Sequence, residues 1–227
     1  GHKALQNLEK LKHPEAFQFE NIVLGSSLRN DLSTASAAMT KMAIAGIKPT
    51  TRATRHLVHS SAVATDFTRA VKAVNEFERA RPFAATDVPV YASIMRCYAF
   101  RNDLETAAAW LKRGLVKCND SRDMLGACQV VMRQVGRSRI PYSVQRWLQL
   151  MRENGVVPDA GIYAIAIEAV LRSTWLDRLD SVLVDMQKDK VGMTTQIQSL
   201  LRKSCSAQHL QVLGVANGSG QFQTRAI

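Results

Sequence analysis

The chain has 227 residues, of which 46% are hydrophobic, so it is long and apolar enough to bury a sizeable core. Thirty Lys and Arg against 19 Asp and Glu give a formal net charge of +11, which favours an anionic partner, nucleic acid before an anionic membrane surface. No apolar run approaches the roughly 18 residues that cross a bilayer, which argues against a membrane span.

The cysteines Cys97, Cys118, Cys128 and Cys205 form no CxxC pair. Their spacing argues against a disulfide framework or a zinc site, and it favours buried thiols in a reducing compartment.

The first predicted element is an amphipathic helix over Ala4–Leu11, followed by Pro14 five residues before the aromatic Phe19. Pro49 and Pro158 stand at the same distance before Thr54 and Tyr163. We therefore interpret residues 1–15 as the second helix of a preceding repeat, which predicts that the chain begins within a longer array.

One pattern then recurs with openers 35 or 37 residues apart, at Phe19, Thr54, Tyr91, Cys128, Tyr163 and Gln198. Apolar or small residues recur in register with them, such as Ala35, Ala70 and Ala107 sixteen residues later. Met42, Met151 and Met186 recur 23 residues later. Periods of this length are typical of stacked helical repeats.

Each unit is predicted to be a pair of helices. Apolar residues at offsets 0, 3 and 4 form one face of the first helix. A polar break such as Arg29-Asn30-Asp31 supplies a turn and an N-cap. The second helix ends at Gly46 or Gly155, with Pro three residues later.

These elements predict an all-α fold, an α-solenoid of stacked antiparallel helix pairs, in which each pair buries its apolar face against its neighbours. The predicted segments are five repeats, a degenerate capping repeat and a flexible tail, at 16–50, 51–87, 88–124, 125–159, 160–194, 195–216 and 217–227.

The chain resembles the pentatricopeptide repeat family. The resemblance rests on the aromatic openers, the alanine set, and the endings Met42…Gly46-Ile47-Lys48-Pro49 and Met151…Gly155-Val156-Val157-Pro158-Asp159. The units opening at Thr54 and Tyr91 lack that ending, with Arg81 and Cys118 for Gly and Ala84 and Ser121 for Pro. Tetratricopeptide arrays are the near alternative, and the Gly-x-x-Pro endings favour the pentatricopeptide type.

The resemblance implies that the solenoid is right-handed and that the residue after each opener faces a concave groove that binds RNA. Steps of four along a helix stay on the same face. The predicted groove stripes are Glu20/Leu24/Leu28, Arg55/His59/Val63, Ala92/Arg96/Phe100, Gln129/Arg133/Arg137, Ala164/Glu168/Arg172 and Ser199/Lys203. The predicted RNA-binding residues, which would track a phosphate backbone, are Arg55, His59, Arg96, Gln129, Arg133, Arg137, Arg172 and Lys203. The alternative is that these side chains only keep the surface soluble.

In the resembled family, base choice comes from the residue after the opener together with the residue before the next repeat. The corresponding pairs are Glu20 with Thr50, Arg55 with Asp87 (or Ala85), Ala92 with Met124 (or Arg122), Gln129 with Asp159, and Ala164 with Thr194. None matches the family's usual Thr, Ser or Asn with Asn or Asp. The pairs therefore predict backbone or shape recognition, or a largely protein-facing solenoid, rather than one base per repeat.

Other chemistry-bearing residues are predicted to be structural. Trp110 and Trp147 share one register position and are predicted to lie in the core, and His56 with His59 lacks further ligands at metal spacing. Several carboxylates are predicted to be solvated on outer helices, namely Glu76, Glu78, Asp177, Asp180 and Asp185. We expect no enzyme activity, no metal, no cofactor and no small-molecule substrate.

The leading hypothesis is a non-catalytic RNA-associated adaptor of an organellar ribonucleoprotein in the mitochondrial matrix, a compartment that the resemblance implies. It would be a mitochondrial ribosomal constituent or assembly factor, or part of an RNA-processing or editing complex. The divergent repeats look similar to pentatricopeptide proteins of protist mitochondria such as those of trypanosomatids. The alternatives are a protein–protein scaffold with little RNA readout, and the repeat arm of an enzyme.

Overall fold

The computed structural model describes residues 2–9, 14–80, 87–117, 121–138, 140, 142–173 and 178–204. Over these ranges the regular secondary structure is α-helix, with a short 3-10 helix at Ser121–Met124 and no strand. The helices are α1 His2–Glu9, α2 Ala16–Leu28, α3 Leu32–Ile44, α4 Thr51–Val63, α5 Phe67–Ala80, α6 Val88–Phe100, α7 Leu104–Lys117, α8 Leu125–Val135, α9 Ser143–Glu153, α10 Ala160–Leu171, α11 Leu179–Lys188 and α12 Thr195–Ser204. The predicted all-α class is confirmed.

The chain divides into two compact units, Gly1–Ala127 and Cys128–Ile227, and the division falls inside α8. In unit 1, α2 packs against α3, α4 against α5, and α6 against α7. The first helices of these pairs also contact one another, α2 with α4 and α4 with α6, while α1 contacts α2 and α3. Unit 1 is therefore a stack of helix pairs.

The register that organises the sequence also organises the core. Ala35, Ala70 and Ala107 are fully buried at their common position on the second helices. Met42 and Met151 are equally buried. The openers are buried as well, except for Gln198, which is half-buried. Trp147 is fully buried and donates from Nε1 to the Cys128 carbonyl, so its predicted core role is confirmed, as is that of Trp110.

The turn between the two helices of a pair has the same form three times in unit 1. Asn30, Thr65 and Asn102 adopt positive φ angles of 57°, 62° and 59°. The following residues, Asp31, Asp66 and Asp103, cap the next helix by accepting hydrogen bonds from backbone N–H groups three residues later. The polar breaks read from the sequence thus act as turn and N-cap together.

A second turn closes the second helices. Ile47, Val156 and Val191 donate their N–H groups to the carbonyls of the in-register Met42, Met151 and Met186. The left-handed residue in between is Gly46, Gly155 and, in the third copy, Lys190 with φ of 57°. The predicted C-terminal role of the two glycines is confirmed, and this turn ends each of these helices in the same way.

A polar cluster ties consecutive repeats together in unit 1. Tyr91 donates its hydroxyl to Glu78 over 2.6 Å, and Arg113 holds the second oxygen of Glu78 over 2.5 Å. Lys117 adds a further charge at 3.6 Å. The prediction that Glu78 is solvated is therefore wrong, because its side chain is only 9% exposed and lies between α5, α6 and α7.

Unit 2 contains a matching cluster with the charges exchanged. Arg152 donates from Nε to Asp189 over 2.9 Å and from Nη2 to the Tyr163 hydroxyl over 2.8 Å. Tyr163 in turn donates to Asp189 over 2.5 Å. Asp185, at 3.7 Å from Arg152, is half-buried rather than fully solvated as predicted.

Unit 2 is built from helices that approach one another closely. α10 packs against α11 and α12, and Trp147 joins α9 to α8. A Cβ atom added to Gly136, just after α8, would lie 2.6 Å from Ala169 Cβ on α10, so this contact needs glycine. The predictions for Cys118, Asp177, Cys205, residues 205–216 of the capping repeat and the 217–227 tail lie outside the described residues.

No helix in the described part of the chain is long and apolar enough to span a membrane. Among the same residues no three His, Cys, Asp or Glu side chains form a metal-binding group. Cys97 and Cys128 are free and buried, as predicted, and burial raises the pKa of each thiol to about 12. Both are therefore protonated packing residues at neutral pH.

Candidate nucleic-acid interface

Three candidate residues lie in unit 1 on two neighbouring first helices. Arg55 and His59 lie on α4 and Arg96 lies on α6, and all three side chains are exposed. In the described part of the chain no carboxylate pairs with Arg55 or Arg96, so both guanidinium groups are available to an anion.

The histidines of α4 have lowered pKa values. Burial lowers the pKa of His59, and the positive charge of Arg96 lowers it further. Burial also lowers the pKa of His56, followed by the charges of Arg55 and Arg52. His59 and Arg96 are therefore electrostatic neighbours across α4 and α6, and at neutral pH the imidazoles are uncharged while the arginines supply the positive charge.

Three more candidates lie on and just after α8 in unit 2. Arg133 and Arg137 are exposed, and neither has an ion-pair partner among the residues that the structure describes. Gln129 is half-buried, and its Nε2 atom would lie 3.0 Å from a Cβ atom on Gly161 at the start of α10. Gln129 thus packs against α10, while the two arginines are exposed.

The two remaining candidates differ in availability. Arg172, at the end of α10, forms an ion pair with Glu168 four residues earlier, so part of its charge is already compensated. Lys203 lies exposed in the last turn of α12. Within the described ranges Lys203 has no carboxylate partner.

Two alanines on the predicted stripes do not reach the surface. Ala92 and Ala164, each directly after an opener, are buried. The sequence-based stripes placed both in the groove, and this is wrong, since Ala92 is only 8% and Ala164 only 2% exposed. Neither alanine can contact a bound strand.

The predicted base-reading partners are engaged in helix capping. Thr50, Asp159 and Thr194 accept N–H hydrogen bonds at the starts of α4, α10 and α12. Asp87 is fully buried and accepts the Thr51 hydroxyl over 2.7 Å, and Met124 is fully buried. For the three N-caps, the preference for Thr and Asp at the start of a helix was the sequence signal.

The sequence stripes also contained Leu28, Val63 and Phe100, to which no role was assigned. Each is the last residue of its helix, α2, α4 or α6. Their side chains are 78%, 70% and 73% exposed. The first-helix surface of unit 1 is therefore part basic and part apolar.

In chemical terms the eight candidates offer charge and hydrogen-bond donors. Guanidinium and ammonium groups bind phosphate oxygens through charge-assisted hydrogen bonds. The arrangement suits binding of a polyanion.

No protein-family model matches the chain, and no curated protein matches its sequence. The likeness to pentatricopeptide repeats therefore rests on the residues and on the helix pairs described above.

Proposed function

We propose that the chain is a non-catalytic, RNA-associated adaptor of an organellar ribonucleoprotein, a mitochondrial ribosome constituent or assembly factor. In this proposal its helix pairs form a right-handed α-solenoid of the pentatricopeptide type. The solenoid contacts the RNA backbone and does not read bases, and it works in the mitochondrial matrix beside other proteins of the complex.

The observation that carries the proposal is a set of exposed cations that lie one, five or nine residues after the openers, on the face of the first helices that is predicted to line the groove. Arg55, Arg96, Arg133, Arg137 and Lys203 are exposed, and none has a carboxylate partner in the ranges that the structure describes. Cations needed for folding are normally paired, as Arg113 and Arg152 are here. Exposed cations at steps of four on this predicted face, in a chain of net charge +11, fit a phosphate backbone.

Backbone contact is favoured over base readout because of how the remaining side chains are engaged. The partners expected to select bases cap helices or are buried, and Ala92 and Ala164 lie below the surface. Phosphate contacts position a strand without carrying sequence information.

The test is binding of single-stranded RNA by the parent and by the triple variant Arg96→Ala/Arg133→Ala/Arg137→Ala. We expect the variant to bind an oligouridylate about a hundredfold more weakly, because three charge-assisted phosphate contacts are lost. Fluorescence anisotropy gives the Kd, and circular dichroism checks that the helices persist.

The matched control is Lys72→Ala/Arg79→Ala/Lys112→Ala, which removes three positive charges from the exposed faces of the second helices α5 and α7. It should bind RNA within about threefold of the parent, since only long-range charge changes and salt screens it. Equal losses in both variants would mean that net charge alone binds RNA, and the interface assignment would be wrong.

A further inference from the structure

Unit 1 exposes three large apolar side chains at one register position. Leu28, Val63 and Phe100 each follow the opener of their repeat by nine residues and each ends a helix of 13 residues. Because α2 contacts α4 and α4 contacts α6, the three side chains form one line across neighbouring helix ends. We call this line the apolar row.

The apolar row is not a general property of the repeat. In unit 2 the same position holds Arg137 and Arg172, both exposed. All three apolar side chains are more than two-thirds exposed and end helices that contact one another, and apolar side chains grouped on one exposed face are typical of interaction sites. The chemistry of this position therefore changes from apolar in unit 1 to basic in unit 2.

Positive charge borders the apolar row. Arg96 lies one helical turn before Phe100 on the same face, and the exposed Arg29 and Arg101 directly follow Leu28 and Phe100. Arg29 folds back along α2, with Nη1 3.6 Å from the position of a Cβ atom on Gly25. Asp31, Asp66 and Asp103, in the turns that follow the three helices, accept backbone hydrogen bonds as N-caps.

The spacing of the row suits a helix. Packed helices lie about 8–10 Å apart, so successive row residues are separated by about that distance. One heptad of an α-helix advances about 10.5 Å. A helix lying across α2, α4 and α6 can therefore place one apolar residue against each row residue at heptad spacing.

We propose that the apolar row binds an acidic amphipathic helix of a partner protein. The apolar face of that helix would cover Leu28, Val63 and Phe100, while its carboxylates would meet Arg29, Arg96 and Arg101. This goes beyond RNA binding, since it gives the chain a protein-docking surface in unit 1 alongside its RNA-contacting residues.

Other occupants fit the row less well. Nucleobases stack on aromatic faces, and two of the three side chains, Leu28 and Val63, are aliphatic. A second copy of the chain would bring its own arginines against those that border the row, and each copy carries +11. Charge and side-chain chemistry together favour an acidic, apolar partner.

The experiment uses the full chain and a synthetic three-heptad peptide with Leu at the first and fourth heptad positions and Glu on the flanks. The control peptide has the same composition in scrambled order, so it keeps the charge and loses the apolar face. We expect saturable micromolar binding of the helical peptide at about 150 mM salt, where weak surface charge effects are screened. The scrambled peptide should bind about tenfold more weakly.

The variant is Leu28→Ser/Val63→Ser/Phe100→Ser, and the matched control is Ile44→Ser/Val116→Ser, which changes equally exposed residues on the second helices α3 and α7. We expect the triple variant to lose about tenfold in peptide affinity and to keep its RNA affinity, and the control to keep both. Phe100→Ser alone, with about threefold loss, serves if the triple variant does not fold.

Four results would overturn the proposal. They are no saturable peptide binding, equal peptide binding by the parent and the triple variant, a tenfold loss of RNA affinity in the triple variant, and a parent dimer in sedimentation that the triple variant lacks. The third would assign the row to nucleobases and the fourth to a second copy. The two proposals are tested separately. RNA binding should be lost when Arg133 and Arg137 are changed and kept in Leu28→Ser/Val63→Ser/Phe100→Ser.

Discussion

The two tyrosine openers each bond to a charged side chain on the preceding second helix, and the two charges are opposite. Tyr91 bonds to an acid on the preceding second helix, Glu78, whose counter-charge is Arg113. Tyr163 bonds to a base on the preceding second helix, Arg152, whose counter-charge is Asp189. In both arrangements the tyrosine hydroxyl is hydrogen-bonded and each charged side chain has a partner of opposite charge. Consecutive repeats are therefore joined whether the residue that bonds to the tyrosine is acidic or basic.

Glu78→Gln tests this at the residue scale. The amide cannot compensate Arg113, so we expect a loss of about 2 kcal/mol in the free energy of unfolding. This is below the roughly 3–5 kcal/mol of a fully buried pair, because Arg113 is 40% exposed. Urea unfolding at pH 7 measures the loss.

The stability loss caused by Glu78→Gln is expected to depend on pH. Burial alone would raise the pKa of Glu78, but hydrogen bonds from Arg113 and Tyr91 and the charges of Arg113 and Lys117 lower it below its usual 4.5. A lowered carboxyl pKa gives stability that is present above the unfolded pKa and lost as pH falls through the folded one. The difference between parent and Glu78→Gln should therefore shrink below about pH 4.5. Glu76→Gln, in an exposed pair with Lys72, should cost less than about 0.5 kcal/mol at any pH.

At the scale of elements, the helix pairs depend on two repeated turns. One places Asn30, Thr65 or Asn102 in the left-handed region before an aspartate N-cap, and the other places Gly46, Gly155 or Lys190 there after a buried methionine. Because both turns return N–H groups to helix carbonyls, they fix where each helix ends and how the next one starts. Of Gly46, Gly155 and Lys190, only Lys190 has a side chain.

Lys190→Gly is expected to stabilise the chain. A side chain in the left-handed region costs about 1–2 kcal/mol, and the greater unfolded-state freedom of glycine offsets about 0.5–1 kcal/mol of that gain. We therefore predict a net gain of about 0.5 kcal/mol in the free energy of unfolding, measured by urea titration.

The reciprocal change Gly155→Ala should destabilise by about 1 kcal/mol. A Cβ atom at Gly155 would meet nothing within 4 Å, so only the backbone conformation is tested. A stability loss for Lys190→Gly would show that the lysine side chain contributes more than its strained backbone costs.

At the scale of the whole molecule, the charges divide into two classes. Arg113 and Arg152 are engaged in joining repeats, whereas Arg55, Arg96, Arg133, Arg137 and Lys203 are exposed. Only the second class can release counterions from a nucleic acid. The total of 30 Lys and Arg therefore overstates the number of cations that a bound strand would meet.

The salt dependence of RNA binding measures how many of these exposed cations contact phosphates. If the five exposed cations each neutralise one phosphate, log Kd should rise with log salt with a slope of about 3.5 on single-stranded RNA. Removing Arg96, Arg133 and Arg137 leaves two, and the slope should fall to about 1.4. A parent slope near zero would mean that the RNA contact is not electrostatic, which would contradict the proposed function.

The sequence by itself determined the helices, their turns and their buried columns. The residues at the register positions of Ala35 and Met42 are buried in each repeat, because each repeat packs against its neighbours in the same way. The N-caps and the Arg172–Glu168 pair also follow short-range rules that spacing along the chain reveals.

Tertiary structure alone decided which polar side chains pair across helices and which apolar ones remain uncovered. From the sequence alone Glu78 is predicted to be solvated, but α6 and α7 bring Tyr91 and Arg113 to it. In the sequence Leu28, Val63 and Phe100 are ordinary residues at helix ends. Only the contacts of α4 with α2 and α6 place these exposed side chains on neighbouring helices. The physical reason is that burial and ion pairing depend on neighbours from other helices, whereas helix propensity, capping and periodicity depend on residues close in the chain.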